Sequence, residues 1–161
     1  MNAYKKFINH LNNILEVIGI AMMLTMVFVI FYQVLMRYVF GSSPKWSEEF
    51  AMLLVQWFVF LGIVIGIKED FHIKITMFVN KLSPKTLFIV EVIDNVLMLV
   101  FSILLLYNGF LLAYYLRNNI LPGTGFSVGI QYVTVGIAGT LMTLVILGQI
   151  AEQIINRKET K

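Results

Sequence analysis

The sequence predicts an all-α integral membrane protein with four transmembrane helices, both termini on the cytoplasmic side, and an amphipathic interfacial segment between helices two and three. Two observations carry the core of that reading. Of 161 residues, 59% are hydrophobic and 13% charged, and the mean hydropathy is +0.84, which is more apolar surface than a soluble domain of this size can bury. The apolar residues also fall into four uncharged runs, each near the ~20 residues that cross about 30 Å of hydrocarbon at about 1.5 Å per residue. No linker divides these runs, so residues 1–161 are expected to form a single membrane domain.

Helix one is expected over about 12–40, with its uncharged stretch from Val17 to Met36 closed by Arg37. Lys5 and Lys6 ahead of apolar residues resemble a secretory signal. The apolar run outlasts a signal's core of about 7 to 15 residues, and no small-residue cleavage site follows it, which predicts a retained helix. The turn Gly41-Ser42-Ser43-Pro44 stops it. Ser43 as cap and Pro44 at the first helical position predict helix two over 44–67, uncharged from Phe50 to Ile67 and ended by Lys68-Glu69-Asp70.

Between helices two and three, Phe71, Ile75, Phe78, Val79 and Leu82 recur at helical spacing beside Lys74, Lys81 and Lys85. That pattern predicts an interfacial helix, its lysines either snorkelling to water or docking a partner. Helix three is expected over 85–116, with Glu91 and Asp94 in its first turns, and closes at Arg117-Asn118-Asn119. After Leu121-Pro122-Gly123-Thr124-Gly125, helix four is expected over 126–153.

An even number of spans puts both ends and the middle loop on one side. That side carries nine cations (Lys5, Lys6, Lys68, Lys74, Lys81, Lys85, Arg157, Lys158, Lys161), and the other carries three (Arg37, Lys45, Arg117). The excess of Lys and Arg on cytoplasmic loops therefore predicts an inner-membrane protein with both termini in the cytoplasm. The same placement accounts for the net charge of +3 without nucleic acid as a partner.

Absence of Cys excludes disulfides, thiol nucleophiles and cysteine-held iron–sulfur centres, and two His outside the apolar runs are poor haem or metal ligands. No cofactor, metal site or catalytic constellation is expected. Ionisable residues inside a membrane are functional candidates by default, and here the centres of all four runs hold none. Glu91 and Asp94 share one helical face near the cytoplasmic edge, where Lys68, Lys85 or His72 could pair with them.

The outer hairpin is denser in chemistry. Glu48 and Glu49 complement the helix-two dipole, Trp46 belongs to the aromatic belt at the water boundary, and Arg37 could pair with either Glu across the turn. The same cluster also suits contact with another polypeptide. Gly62 and Gly66 form one G-x-x-x-G and Gly125 and Gly129 another, and Gly136 continues the small face. Such notches let helix backbones approach in lipid, where no hydrophobic drive joins helices.

The ordered set Arg37-Tyr38-Val39-Phe40-Gly41-Ser42, Trp46-Ser47-Glu48-Glu49, Gly62 and Gly66 leading to Asp70-Phe71-His72-Ile73, with Thr124-Gly125 before helix four, resembles the small membrane subunit of tripartite ATP-independent periplasmic (TRAP) transporters. The resemblance runs through all four helices. It departs in the last one, where the family often has a proline and this chain reads Val135-Gly136-Ile137. It implies a subunit that binds no solute but braces a large multi-helix membrane subunit, during sodium-coupled uptake of an organic anion such as a C4-dicarboxylate or sialic acid. A soluble periplasmic binding protein would deliver the anion in transient contact. Carried over residue by residue, Arg37, Trp46, Glu48, Glu49 and His72 would serve subunit assembly. Two rival classes are an autonomous homodimeric exporter, which needs a central membrane carboxylate, and a haem-binding redox anchor, which needs His within the spans.

Overall fold

The computed structural model describes residues 2–78 and 84–159, and four long helices account for nearly all of them. They are α1 (Asn2–Phe40), α2 (Lys45–Phe78), α3 (Pro84–Tyr115) and α4 (Gly129–Glu159). Each contains a segment long and apolar enough to cross a membrane: Ile8–Phe40, Lys45–Ile67, Phe88–Tyr115 and Gly129–Ala151.

The ends follow local chemistry. Gly41 takes a φ of 73°, the left-handed conformation that glycine adopts without strain, and so terminates α1. The carbonyl of Pro44 accepts both the Ser47 amide at 3.2 Å and the Ser47 hydroxyl at 2.7 Å, so α2 begins at Lys45 with Pro44 just outside it. Pro44 thus sits one place earlier relative to the helix than the sequence suggests.

Three other limits differ from the sequence expectation. Helix α1 starts at Asn2 and α4 runs to Glu159, because no Gly or Pro interrupts either extension. For the same reason α2 does not stop at Lys68-Glu69-Asp70 but continues to Phe78. The expected interfacial segment is therefore, as far as Phe78, the C-terminal end of α2 and not a separate element. Its remaining residues Val79, Lys81 and Leu82 lie outside the described residues, as do the side chains of Lys68, His72, Lys74 and Lys85. Pro84 occupies the first position of α3, where its missing N–H is not needed.

The helices pack in the order α1, α2, α4, α3, each chiefly against its neighbours in that row. Burial agrees: 39% of the α4 span and 28% of the α2 span are buried within the chain, against 17% for α3 and 11% for α1. The two inner helices therefore form the spine. Leu61, Val64 and Ile67 of α2 meet Ala138, Met142, Val145 and Ile146 of α4, and Ile8 and Leu15 of α1 close the cluster from one side. A row, unlike a closed bundle, leaves broad faces uncovered. Phe28 and Phe31 of α1 and Leu97 and Tyr107 of α3 lie well exposed, as residues facing lipid or a membrane partner do.

Candidate scaffold site

Three devices join α2, α3 and α4, and the one nearest the α1–α2 turn centres on Glu49. The backbone N–H groups of Gly123 and Thr124 donate to the two Glu49 carboxylate oxygens at 2.9 and 2.7 Å, and the Thr124 hydroxyl donates at 2.9 Å. One side chain on the first turns of α2 thereby fastens the loop that joins α3 to α4. Charge-assisted bonds of this kind are the stronger class.

The loop is shaped to be held. Leu121 N–H donates to Phe126 O at 2.8 Å and Val128 N–H to Asn119 O at 2.8 Å, with an antiparallel bridge between Ile120 and Ser127. Gly125, at φ 73°, turns the tip. Gly123 is needed for a different reason: an added Cβ would lie 2.8 Å from the Lys45 carbonyl and 2.9 Å from the Glu49 carboxyl carbon. At the loop's exit the Ser127 hydroxyl donates to Arg117 O at 2.7 Å and accepts Gly129 N–H at 3.1 Å, which caps α4. Residues 126–128 are therefore part of the hairpin, and α4 begins three places later than the sequence suggests.

The second device is a backbone contact between α3 and α4. A Cβ on Gly109 would meet the Gly136 nitrogen at 2.3 Å, one on Gly139 the Leu106 nitrogen at 2.4 Å, one on Gly129 the Ala113 carbonyl at 2.6 Å, and one on Gly136 the Phe110 ring at 2.9 Å. Polar groups follow the same seam. Thr143 donates to Ser102 at 2.9 Å, Asn95 donates to the Gln153 side chain at 2.9 Å, and Gln153 donates to the Glu91 carboxylate at 3.2 Å.

The third device joins α2 to α4. Gln56 donates to the Gln131 carbonyl at 3.2 Å near one end, and Gln149 to the Ile67 carbonyl at 3.2 Å near the other.

The sequence-predicted residues divide among these devices and outside them. Glu49 is the centre of the loop latch, bonded to the α3–α4 loop and not to Arg37, which stands exposed at the end of α1. Glu48 is exposed and Trp46 stacks on Tyr32, ring centroids 6.0 Å apart. Gly129 and Gly136 lie at close helix approaches, whereas Gly125 is a turn residue with nothing within 4 Å of an added Cβ and does not pack helices. Around Gly62 and Gly66, too, nothing among the described residues comes within 4 Å of an added Cβ. Gly62 is exposed and Gly66 half-buried. Glu91 bonds an amide of α4, and the side chains of Lys68, Lys85 and His72 lie outside the described residues. Among the described residues, no group of three or more His, Cys, Asp or Glu is placed to hold a metal ion.

Residues 26–156 match the family model described as "Tripartite ATP-independent periplasmic transporters, DctQ component". The chain belongs to this DctQ family. A relative from Haemophilus influenzae named "Putative TRAP transporter small permease protein" is 30% identical over 144 residues, covering 89% of each chain. The sialic acid TRAP transporter small permease protein of Vibrio cholerae is 36% identical over 75 residues, 47% of this chain and 43% of that one. The C4-dicarboxylate TRAP transporter small permease protein of the same organism is 31% identical over 81 residues, 50% and 35% respectively. The resemblance on Arg37 to Ile73 and Thr124-Gly125 thus identifies the right family, and this DctQ chain is a transporter's small permease subunit.

Proposed function

We propose that the chain is the non-catalytic small membrane subunit of a TRAP-type secondary transporter and acts as a fixed brace for the large membrane subunit. The transporter takes up an organic anion, of the C4-dicarboxylate or sialic acid class that names two of the relatives, coupled to sodium and delivered by a periplasmic binding protein. The observation that carries the brace is the bonding of the polar side chains. Glu49, Gln56, Asn95, Thr143, Gln149 and Gln153 fasten one helix or loop of this chain to another, and the four helices run unbroken. Ion-coupled transport sites use interrupted helices and exposed backbone groups at mid-membrane.

Arg37, Trp46, Glu48 and His72 belong to the assembly surface in this reading, as does the open Gly62 and Gly66 notch of α2. Both termini face the cytoplasm, with Glu49 and its loop on the periplasmic side, as the nine-to-three division of cations supports. The test is solute uptake in cells with the gene for this chain deleted. The expected result is loss of uptake, restoration by the intact chain, and no uptake when sodium is replaced by choline. Sodium-independent uptake, or uptake undiminished by the deletion, would refute the proposal.

A further inference from the structure

One polar side chain at mid-membrane takes no part in joining these helices. Asn108 stands on α3 about 13 Å before Arg117, at ~1.5 Å per residue, near the middle of a hydrocarbon layer about 30 Å thick. It is exposed. Its amide nitrogen donates to the Leu104 carbonyl one turn back at 2.9 Å. That bond uses one N–H, and among the described residues nothing takes up the other N–H or the amide oxygen. Acyl chains offer neither donor nor acceptor, so an uncovered amide at this depth is costly.

The face around Asn108 has the form of a helix seam. Leu97, Phe101, Leu104, Asn108, Leu111 and Tyr115 repeat at alternating steps of four and three, the spacing of left-handed helix pairing. At about 100° per residue they lie on the side of α3 away from Ser102, Gly109 and Ala113, which meet α4. Leu97, Phe101, Leu104 and Tyr115 are each more than half exposed. Helix α3 ends the row and packs chiefly against α4, so no helix of this chain covers the seam.

We propose that α3 pairs along this seam with α3 of a second copy of the chain, the two Asn108 amides hydrogen-bonded to each other across a twofold axis along the membrane normal. The chemistry of residue 108 selects the occupant. The seam needs a helix with a donor and an acceptor at the same depth, and a second copy inserted in the same direction brings both by symmetry. An amide with one N–H and one oxygen to satisfy is complementary to itself. A single polar residue at a core position of such a seam also fixes register and the number of helices that join. The seam lies at the opposite end of the row from α1, which leaves Arg37 and Trp46 free for a different contact. The proposal is independent of the transporter reading, because both partners are this chain.

The sequence holds no cysteine, so single cysteines report on the seam without background from the chain. Leu104→Cys, oxidised with copper phenanthroline in the native membrane, is expected to give a disulfide-linked species of twice the chain mass. Ile103→Cys, also exposed but on another face of α3, is expected to give none. In detergent, dilution of dye-labelled full-length chains measures the dimer directly. Asn108→Leu is expected to weaken it about tenfold, the scale of an interhelical hydrogen bond in a membrane, and Asn108→Gln to retain most of it. Crosslinking of Leu104→Cys to another protein or to nothing, equal crosslinking at position 103, or an Asn108→Leu dimer as tight as wild type would each overturn the proposal.

Discussion

Two substitutions of the same chemistry have opposite expected signs. At Gly109, an alanine Cβ lies 2.3 Å from the Gly136 nitrogen and 2.8 Å from its Cα, where ordinary contact begins at 3.4 Å, so α3 and α4 must part by about 1 Å. Those atoms are backbone and cannot rotate away. Overpacking of this kind costs about 1–3 kcal/mol, and it outweighs the roughly 0.5–1 kcal/mol that alanine gains over glycine inside a helix. At Gly62 the added methyl meets nothing among the described residues, so only the gain remains. Gly109→Ala is therefore expected to lower the unfolding midpoint of the purified chain in detergent, and Gly62→Ala to raise it slightly or leave it unchanged. Both can be followed by the combined fluorescence of Trp46 and Trp57 on heating. A Gly109→Ala midpoint equal to or above wild type would refute the α3–α4 contact on which the brace rests.

Three further outcomes follow from the same geometry. Glu49→Ala strands the Gly123 and Thr124 amides, so hydrogen exchange at residues 119–126 should accelerate while the middle of α4 stays protected; unchanged exchange would discount the latch. Asn95→Leu removes a bond from a residue only 4% exposed and should destabilise the chain by about 1 kcal/mol, measured as a shift in the same detergent midpoint. Gly66→Leu should leave that midpoint near wild type yet reduce recovery of the large subunit with a tagged chain. Equal recovery would remove the α2 notch from the assembly surface.

The four spans were legible in the sequence because about twenty uncharged residues in a row have few other uses. The helix extensions were not, since charges such as Lys68-Glu69-Asp70 end a membrane span without ending a helix, and only Pro84 supplies a breaker. Glu49 stood out as a charged residue at a boundary, but its partners lie 74 and 75 positions away and are mostly backbone. A Pro122-Gly123-Thr124-Gly125 turn gives a signal for a tight loop and none for what it docks against.

The glycines show the limit most clearly. The G-x-x-x-G of Gly62 and Gly66 is the most regular small-residue pattern on α2, yet nothing among the described residues packs against it. Gly109 and Gly139, which no repeat spacing marks, are at the tightest helix contact. Whether a small residue serves an internal or an external contact depends on which helices adjoin. That order, α1, α2, α4, α3, is set by long-range packing that a single sequence does not display.

If this chain works as a fixed companion of a larger membrane protein, extracting a tagged chain from its native membrane in mild detergent will bring that protein with it. The expected result is a large multi-helix membrane protein in near-equal amount, with solute uptake in reconstituted vesicles requiring both. Recovery of the chain alone or as a homodimer that transports unaided would contradict it.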